Sequence, residues 1–122
     1  MRIILADYHE QPRLALKTLL KEQPEFTLLG EAMDGQSLLT LADKRPADVI
    51  LLDCDLPGIY IENLITQLHA LLPSPIVIVM STQFDNSRKY LKAGADAFVS
   101  KSDQPEWLLE TLQNYDQRIK NR

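Results

Sequence analysis

Short unbroken apolar runs alternate along this chain with longer stretches of helical spacing. Ile3-Ile4-Leu5-Ala6, Val49-Ile50-Leu51-Leu52 and Ile76-Val77-Ile78-Val79-Met80 are the clearest runs. Each carries β-branched residues and is bounded by polar or turn residues, the pattern of strands buried on both faces. The strands expected are residues 2–6, Phe26 to Gly30, Asp48 to Leu52, Ile76 to Met80 and a short Ala97 to Val99 ending near Lys101.

Between them the period changes to that of helices. Leu14, Ala15, Thr18, Leu19 and Glu22 predict a helix from about Pro12 to Gln23, stopped by Pro24. Asp34-Gly35 is a turn signal, and Asp34 is placed to cap a helix running to about Lys44, before Arg45-Pro46. Pro57-Gly58 is a turn ahead of a helical pattern from Ile59 to Leu72. Ser81 to Asn86 reads as a polar loop, and Ser87 to Ala93 as a short helix closed by Gly94. Pro105 suits the first position of a last helix that continues to about Lys120.

Five strands alternating with five helices imply a doubly wound α/β fold. Its parallel sheet is joined by right-handed crossovers and covered on both faces. A chain of 122 residues is one domain of ordinary size, with 45% apolar and 25% charged residues. The net charge of −4 argues against direct nucleic-acid contact by this domain. Cys54 is the lone cysteine, which excludes an internal disulfide and fits a reducing compartment. It reads as a small core residue. No apolar stretch approaches the roughly 20 residues of a membrane span. The opening Met1 to Ala6 is too short for a signal-peptide core and runs straight into Asp7, so the cytoplasm is the expected address. The basic end, Arg118 to Arg122, reads either as the start of a linker to a further domain or as a charged helix end favoured by the dipole.

Three strands run into residues of chemical interest: Asp7, Asp53 and Lys101. The fourth runs into Ser81-Thr82. In a parallel sheet these carboxyl ends share one edge, so the residues can converge. Two carboxylates, a hydroxyl and an ammonium suit a phosphoryl group together with a hard cation such as Mg²⁺. A carboxylate can also act as a nucleophile toward phosphorus. Plainer roles exist for each: Asp7 as a helix cap, Asp53 opening a turn into Leu56-Pro57-Gly58, and Lys101, Ser81 and Thr82 as surface residues. The order and spacing of the set favour the chemical reading.

The set resembles the receiver domain of bacterial two-component response regulators. The likeness rests on Ile3 to Asp7, Gly30-Glu31-Ala32-Met33-Asp34-Gly35, Asp48 to Gly58 and Lys92 to Lys101. With Pro105-Glu106 following, the last stretch is most similar to regulators of the NarL/LuxR type, which usually carry a DNA-binding domain after the receiver. The resemblance implies a flavodoxin-like sheet of order 2-1-3-4-5 and a sensor histidine kinase as partner. It also implies a homodimer and a signalling role rather than an enzymatic one. By the same resemblance Asp53 is the phosphoacceptor, Asp7 an acidic-pocket residue, Lys101 the family's lysine and Phe98 its switch aromatic. Asp55 would offer its backbone carbonyl to Mg²⁺, so that Asp7, Asp53 and Asp55 form the metal set. Ser81 is the better candidate for the switch hydroxyl, with Thr82 beside it.

Three departures from the family pattern stand out. Tyr8 occupies the position of a second acidic residue that normally ligates Mg²⁺, and a neutral phenol is a poor replacement. Glu10, in the first helical turn, is the alternative carboxylate for the site. The segment Ser81 to Gly94 is about two residues shorter than the family's. Ile59-Tyr60-Ile61 follow Pro57-Gly58 without the usual glycine, leaving apolar surface expected near the site entrance. Tyr8 therefore opens two readings: a receiver with weaker Mg²⁺ binding, or a pseudo-receiver acting as an interaction module without phosphate.

His9 is expected to be solvated at a helix start, with contact to a phosphate as the other option. His69 is expected at the surface or its boundary. Trp107 is expected mostly in the core stripe of the last helix with Leu108, Leu109 and Leu112, any exposed part serving a dimer face, as could Tyr90 and Leu91. Asp53-Cys54-Asp55 also matches the D-x-D pattern of haloacid-dehalogenase phosphatases, but there the motif lies on the first strand and here on the third. A flavodoxin-like cofactor role is weaker, since Tyr8 to Pro12 lacks the donors a phosphate needs.

Overall fold

The computed structural model describes residues 1–82 and 86–121. Five strands and five helices alternate: β1 (Arg2–Ala6), α1 (Glu10–Lys21), β2 (Thr27–Ala32), α2 (Gly35–Lys44), β3 (Val49–Asp53), α3 (Ile61–His69), β4 (Ile76–Ser81), α4 (Ser87–Lys92), β5 (Ala97–Ser100) and α5 (Pro105–Lys120). The strands form one parallel sheet in the order β2-β1-β3-β4-β5. The doubly wound, flavodoxin-like expectation holds.

Alternation along the strands sorts the core into two layers. Ile3, Leu5, Val49, Leu51, Ile78 and Met80 face α1 and α5 through Leu20, Leu108 and Leu112. Ile4, Ala6, Ile50, Leu52, Val77 and Val79 face the other way, onto Leu38, Leu64, Ile65, Leu68 and Tyr90 of α2, α3 and α4. Val49 to Leu52 are buried without remainder because β3 is the central strand with both faces covered.

Element bounds differ from expectation where local chemistry allows. α1 begins at Glu10, ahead of Pro12, because the first helical turn has no intrahelical acceptor for its N–H groups and tolerates proline. β2 extends to Ala32, which pairs with Ala6 of β1. α3 is shorter at both ends than Ile59 to Leu72: Tyr60 is its non-helical cap residue, and Leu72 precedes Pro73. Asp34 caps α2 as expected, its carboxylate accepting the Ser37 N–H at 2.7 Å. The polar loop expected from Ser81 to Asn86 lies in part, at residues 83–85, outside the described residues; Ser81 itself belongs to β4 and pairs with Ser100.

Three burial expectations are corrected. Trp107 is 55% exposed, because Leu108 and Leu112, flanked by the partly buried Leu109 and Tyr115, fill the inner stripe of α5. Tyr90 is 5% exposed and sits in the core, so of the α4 pair Leu91 is the exposed one. Ile59 and Ile61 pack against the core rather than leaving an apolar surface, and the exposed residue between them is Tyr60. Cys54 is partly buried against the same core, as a small packing residue would be.

Candidate functional site

The carboxyl edge of the sheet gathers Asp7, Asp53 and Lys101. β1 delivers Asp7, whose N–H continues the ladder to the Ala32 carbonyl at 3.0 Å. β3 ends on Asp53, and the Cys54 N–H donates to the Met80 carbonyl at 2.9 Å. Lys101 follows β5, and its N–H donates to the Ser81 carbonyl at 2.8 Å. Each residue is thus positioned by the last rung of a parallel ladder, so three distant parts of the sequence meet on a rigid frame.

Lys101 Nζ lies 2.7 Å from Asp7 Oδ2 and 2.8 Å from Asp53 Oδ1. Asp7 is 0% exposed and Asp53 2%. Burial lifts the Asp53 carboxyl above the ordinary carboxylate range; Lys101 pulls the other way, and the charges of Asp7 and Asp55 add to the rise. Burial works against the Lys101 ammonium, but its two ion pairs outweigh it and lift its pKa. Asp53 Oδ2 is buried and, among the described residues, accepts no hydrogen bond. That oxygen is the open one of the pair.

Asp7 Oδ1 turns to the start of α1. It accepts the His9 N–H at 2.9 Å and lies 3.2 Å from His9 Nδ1. His9 Nδ1 is also 3.6 Å from Asp53 Oδ2. Hence Asp7 is no side-chain cap of α1, whose cap residue is His9; the His9 ring is half exposed at that helix start, as expected, and also lies against both aspartates. Arg13 Nη1 donates to the Asp7 carbonyl at 3.0 Å, while its Nε and Lys17 Nζ hold Glu31 at 3.3 and 3.0 Å. Arg13 and Glu31 were missed as site neighbours, whereas His9 was weighed beside the pocket and is found there. The spacing of His9 and Arg13, one helical turn apart after the Asp7 strand end, was the available signal.

Of the remaining candidates, Ser81 is 2% exposed at the end of β4, and Thr82 is exposed. Burial raises the Cys54 thiol, and the neighbouring Ser81 and Tyr90 hydroxyls only partly offset the rise. The Tyr90 ring stacks on Phe98 with centroids 6.1 Å apart and planes 9° apart. Asp55 is exposed, with ligand atoms of Asp53, Cys54 and Asp55 within 4.8 Å of one another. Tyr8 is 60% exposed and meets the His9 ring edge-on, at 5.8 Å between centroids. Glu10 is exposed and is not among the converging ligand groups of the described residues. His69 sits at the surface boundary, with Nε2 2.9 Å from Asp96 Oδ2.

Asp7, Asp53 and Lys101, which the sequence grouped at one edge of the sheet, converge there, and a family comparison agrees with the resemblance they carried. The profile of the response regulator receiver domain matches residues 3–113. This chain is a response regulator receiver domain. Similar proteins include the nitrate/nitrite response regulator NarL of Escherichia coli (strain K12), 35% identical over 112 residues covering 90% of this chain and 52% of that protein. LiaR, a transcriptional regulatory protein of Bacillus subtilis (strain 168), is 30% identical over 114 residues, 92% of this chain and 54% of LiaR. The receiver domain thus spans about half the length of these relatives. Among solved structures, a LuxR-family two-component response regulator from Aurantimonas sp. SI85-9A1 superposes with a TM-score of 0.84, at 23% identity, over 93% of this chain and 82% of that one. RcsB of Salmonella enterica serovar Typhimurium, bound to the rprA promoter with the phosphomimetic BeF3-, gives 0.85 at 24% identity, over 96% of this chain and 60% of RcsB. These two likenesses establish the fold of the receiver. Among the described residues, no helix is long and apolar enough to cross a membrane.

Proposed function

We propose that this receiver accepts a phosphoryl group on Asp53 from a sensor histidine kinase. The observation that carries the reading is the Lys101 bridge, which holds one oxygen of each buried aspartate and leaves Asp53 Oδ2 without a hydrogen bond among the described residues. In the transfer, Asp53 Oδ2 forms a bond to phosphorus as the phosphorus–nitrogen bond of the kinase's phosphohistidine breaks. The electron pair of the broken bond stays on the imidazole nitrogen. Lys101 is in place to neutralise charge on the new acyl phosphate as a point cation.

Receiver domains bind Mg²⁺ at an acidic pocket, and the donors here fit it in part. Asp7 and Asp53 would hold the ion with the Asp55 carbonyl, but Tyr8 supplies no carboxylate. When bound, Mg²⁺ neutralises the charge on the phosphoryl oxygens.

Added charge on Asp53 would be read out through Ser81 and the Tyr90–Phe98 stack. Ser81 ends the strand beside Asp53, and Phe98 lies two residues before the strand's end at Ser100. A shift of Ser81 toward the phosphate would disturb its contact with Cys54 and, through Tyr90, the seat of α4. In a whole regulator of the relatives' length, the output would be a DNA-binding domain beyond α5, with exposed Leu91 and Trp107 available to a homodimer face. The receiver itself would touch no DNA, and its setting would be cytoplasmic.

Incubation with beryllofluoride and Mg²⁺, followed by amide chemical shifts, tests this reading. Shifts should spread from Asp53 to Ser81, Tyr90 and Phe98 and vanish in Asp53→Ala. An unchanged spectrum at millimolar Mg²⁺ would refute it. The second reading, a pseudo-receiver that pairs without phosphate, is favoured by Tyr8 alone. It requires a dimer indifferent to both beryllofluoride and Asp53→Ala, as read by analytical ultracentrifugation.

A further inference from the structure

A cavity of about 400 Å³ lies between α1 and α5, with Lys101 in its wall. Its apolar lining comes from Ala15, Leu16 and Leu19 of α1, Met80 of β4, Val99 of β5 and Leu108 of α5. The two helices cover the same face of the sheet, and away from the carboxyl edge the buried Leu20 and Leu112 complete that layer. At the carboxyl edge α1 offers Pro12 and Ala15, short side chains that leave the gap to Pro105 and Leu108 open. Small-molecule sites occupy about 300–1,000 Å³ and are mostly apolar, with a few polar groups that fix orientation. This cavity has that size and that lining.

Its polar residues gather at one end, because Thr82, Lys101 and Asp103 follow the carboxyl ends of β4 and β5. The Lys101 ammonium is committed to Asp7 at 2.7 Å and to Asp53 at 2.8 Å. Arg13 and Lys17 of α1 hold Glu31. Asp103 is partly buried, and its carboxylate makes no ion pair and no side-chain hydrogen bond among the described residues. A solvated surface aspartate would account for that by itself, but not for its place on the wall of an unfilled apolar cavity. A negative charge without a partner beside apolar walls complements one positive charge carried on an apolar body.

We propose that the α1–α5 cavity binds a small amphipathic cation, a primary amine on an apolar body, with the ammonium at Asp103 and the body among Ala15, Leu19 and Leu108. Charge complementarity selects that class. An amphipathic anion would meet Asp103 with like charge and find the Lys101 ammonium already paired. The site needs no phosphate and does not depend on the acceptor reading. Lys101 is the wall that the two share, so an occupied cavity packs against the lysine that bridges Asp7 and Asp53.

Amide chemical shifts of the receiver, titrated separately with phenylbutylamine, phenylbutanol and phenylbutyrate, measure both the place and the class. The amine should saturate shifts at Ala15, Leu19, Val99, Lys101 and Leu108 and bind at least tenfold more tightly than the butyrate, with the alcohol between them. Asp103→Asn should weaken the amine at least fivefold and leave the alcohol within twofold. Asp43→Asn removes an exposed carboxylate of α2, on the other face of the sheet, and should bind the amine as the wild type does. Ala15→Phe fills the cavity and should abolish binding of amine and alcohol in a protein that still melts cooperatively. No shifts at these residues with millimolar amine, equal affinity for amine and butyrate, or wild-type binding by Ala15→Phe overturns the proposal. Equal losses in Asp103→Asn and Asp43→Asn overturn it too, since the amine would then be held by overall charge alone. So does a dimer in analytical ultracentrifugation that Ala15→Phe breaks and the amine leaves intact, because a second copy of this chain would then fill the cavity.

Discussion

Replacing Lys101 by methionine removes the cation that two buried carboxylates share, and the consequence can be worked from the pocket. Lys101 Nζ is 2.7 Å from Asp7 Oδ2 and 2.8 Å from Asp53 Oδ1, with both aspartates out of solvent. Breaking a buried pair by deleting one partner costs about 3–5 kcal/mol, so Lys101→Met should fall in that range at pH 7. Asp53→Asn acts oppositely. It removes a buried charge that repels Asp7 and whose Oδ2 has no hydrogen bond among the described residues, and a gain of about 1 kcal/mol follows. In the double variant Lys101 was pairing with Asp7 alone, so its loss should cost roughly 2 kcal/mol rather than 4, a coupling of about 2 kcal/mol. Urea unfolding of the four proteins at pH 7 measures it. The pH dependence has a definite sign. Because Asp53 is raised in the fold, its charge lowers stability above that raised pKa, and the penalty disappears as pH falls toward the ordinary carboxylate range. The advantage of Asp53→Asn should shrink over that window. Lys101 is also raised, so its contribution is whole at neutral pH and fades only above the ordinary lysine range. Additivity within about 0.5 kcal/mol would show that Lys101 does not bridge the pair and refute the pocket as described.

Other outcomes follow from single contacts. Tyr8→Asp should raise Mg²⁺ affinity at least tenfold by restoring a carboxylate, and titration calorimetry showing no gain would mean that Tyr8 does not limit the site. A Cβ on Gly35 would stand 2.9 Å from Ile59 Cγ1 and 3.0 Å from its Cβ, so Gly35→Ala should destabilise by about 1–3 kcal/mol in urea. Asp96 Oδ2 accepts the Val77 N–H at 2.7 Å and faces His69 Nε2 at 2.9 Å, and Asp96→Ala should cost about 1–3 kcal/mol by orphaning that amide. His69→Ala should cost less, since it leaves the Val77 bond in place; thermal melts of the two variants compare them directly.

Much of this architecture is local in origin and therefore legible in the chain. β3 is visible as Val49 to Leu52 because a central strand needs apolar residues on both faces, and a run of that length with turn residues after it has few other uses. α5 was expected from Pro105 to Lys120 and occupies those residues, since proline at a first helical position is a strong local signal. Asp34 was placed as a cap for the same kind of reason. The alternation of elements then leaves little freedom: parallel strands need crossovers, and their carboxyl ends must share an edge. Asp7, Asp53, Ser81 and Lys101 could be grouped from that rule alone.

Orientation and burial were decided by the folded chain. Whether Trp107 or Leu108 faces inward depends on where the α5 stripe meets the sheet, and the spacing of apolar residues admits both. Tyr90 belongs to the core because Phe98 of β5 offers it a parallel ring, a contact made across a strand boundary and invisible along the sequence. His9 shows the difference most clearly. By sequence it is a polar residue at a helix start. Only the meeting of β1 with β3, and the capture of the outer oxygens by Lys101, turns Asp7 Oδ1 and Asp53 Oδ2 toward its ring. Sequence period and turn chemistry determined the sheet and the edge where its polar residues gather. Long-range packing determined which oxygens face which partner, because that choice rests on distances between residues nearly a hundred positions apart.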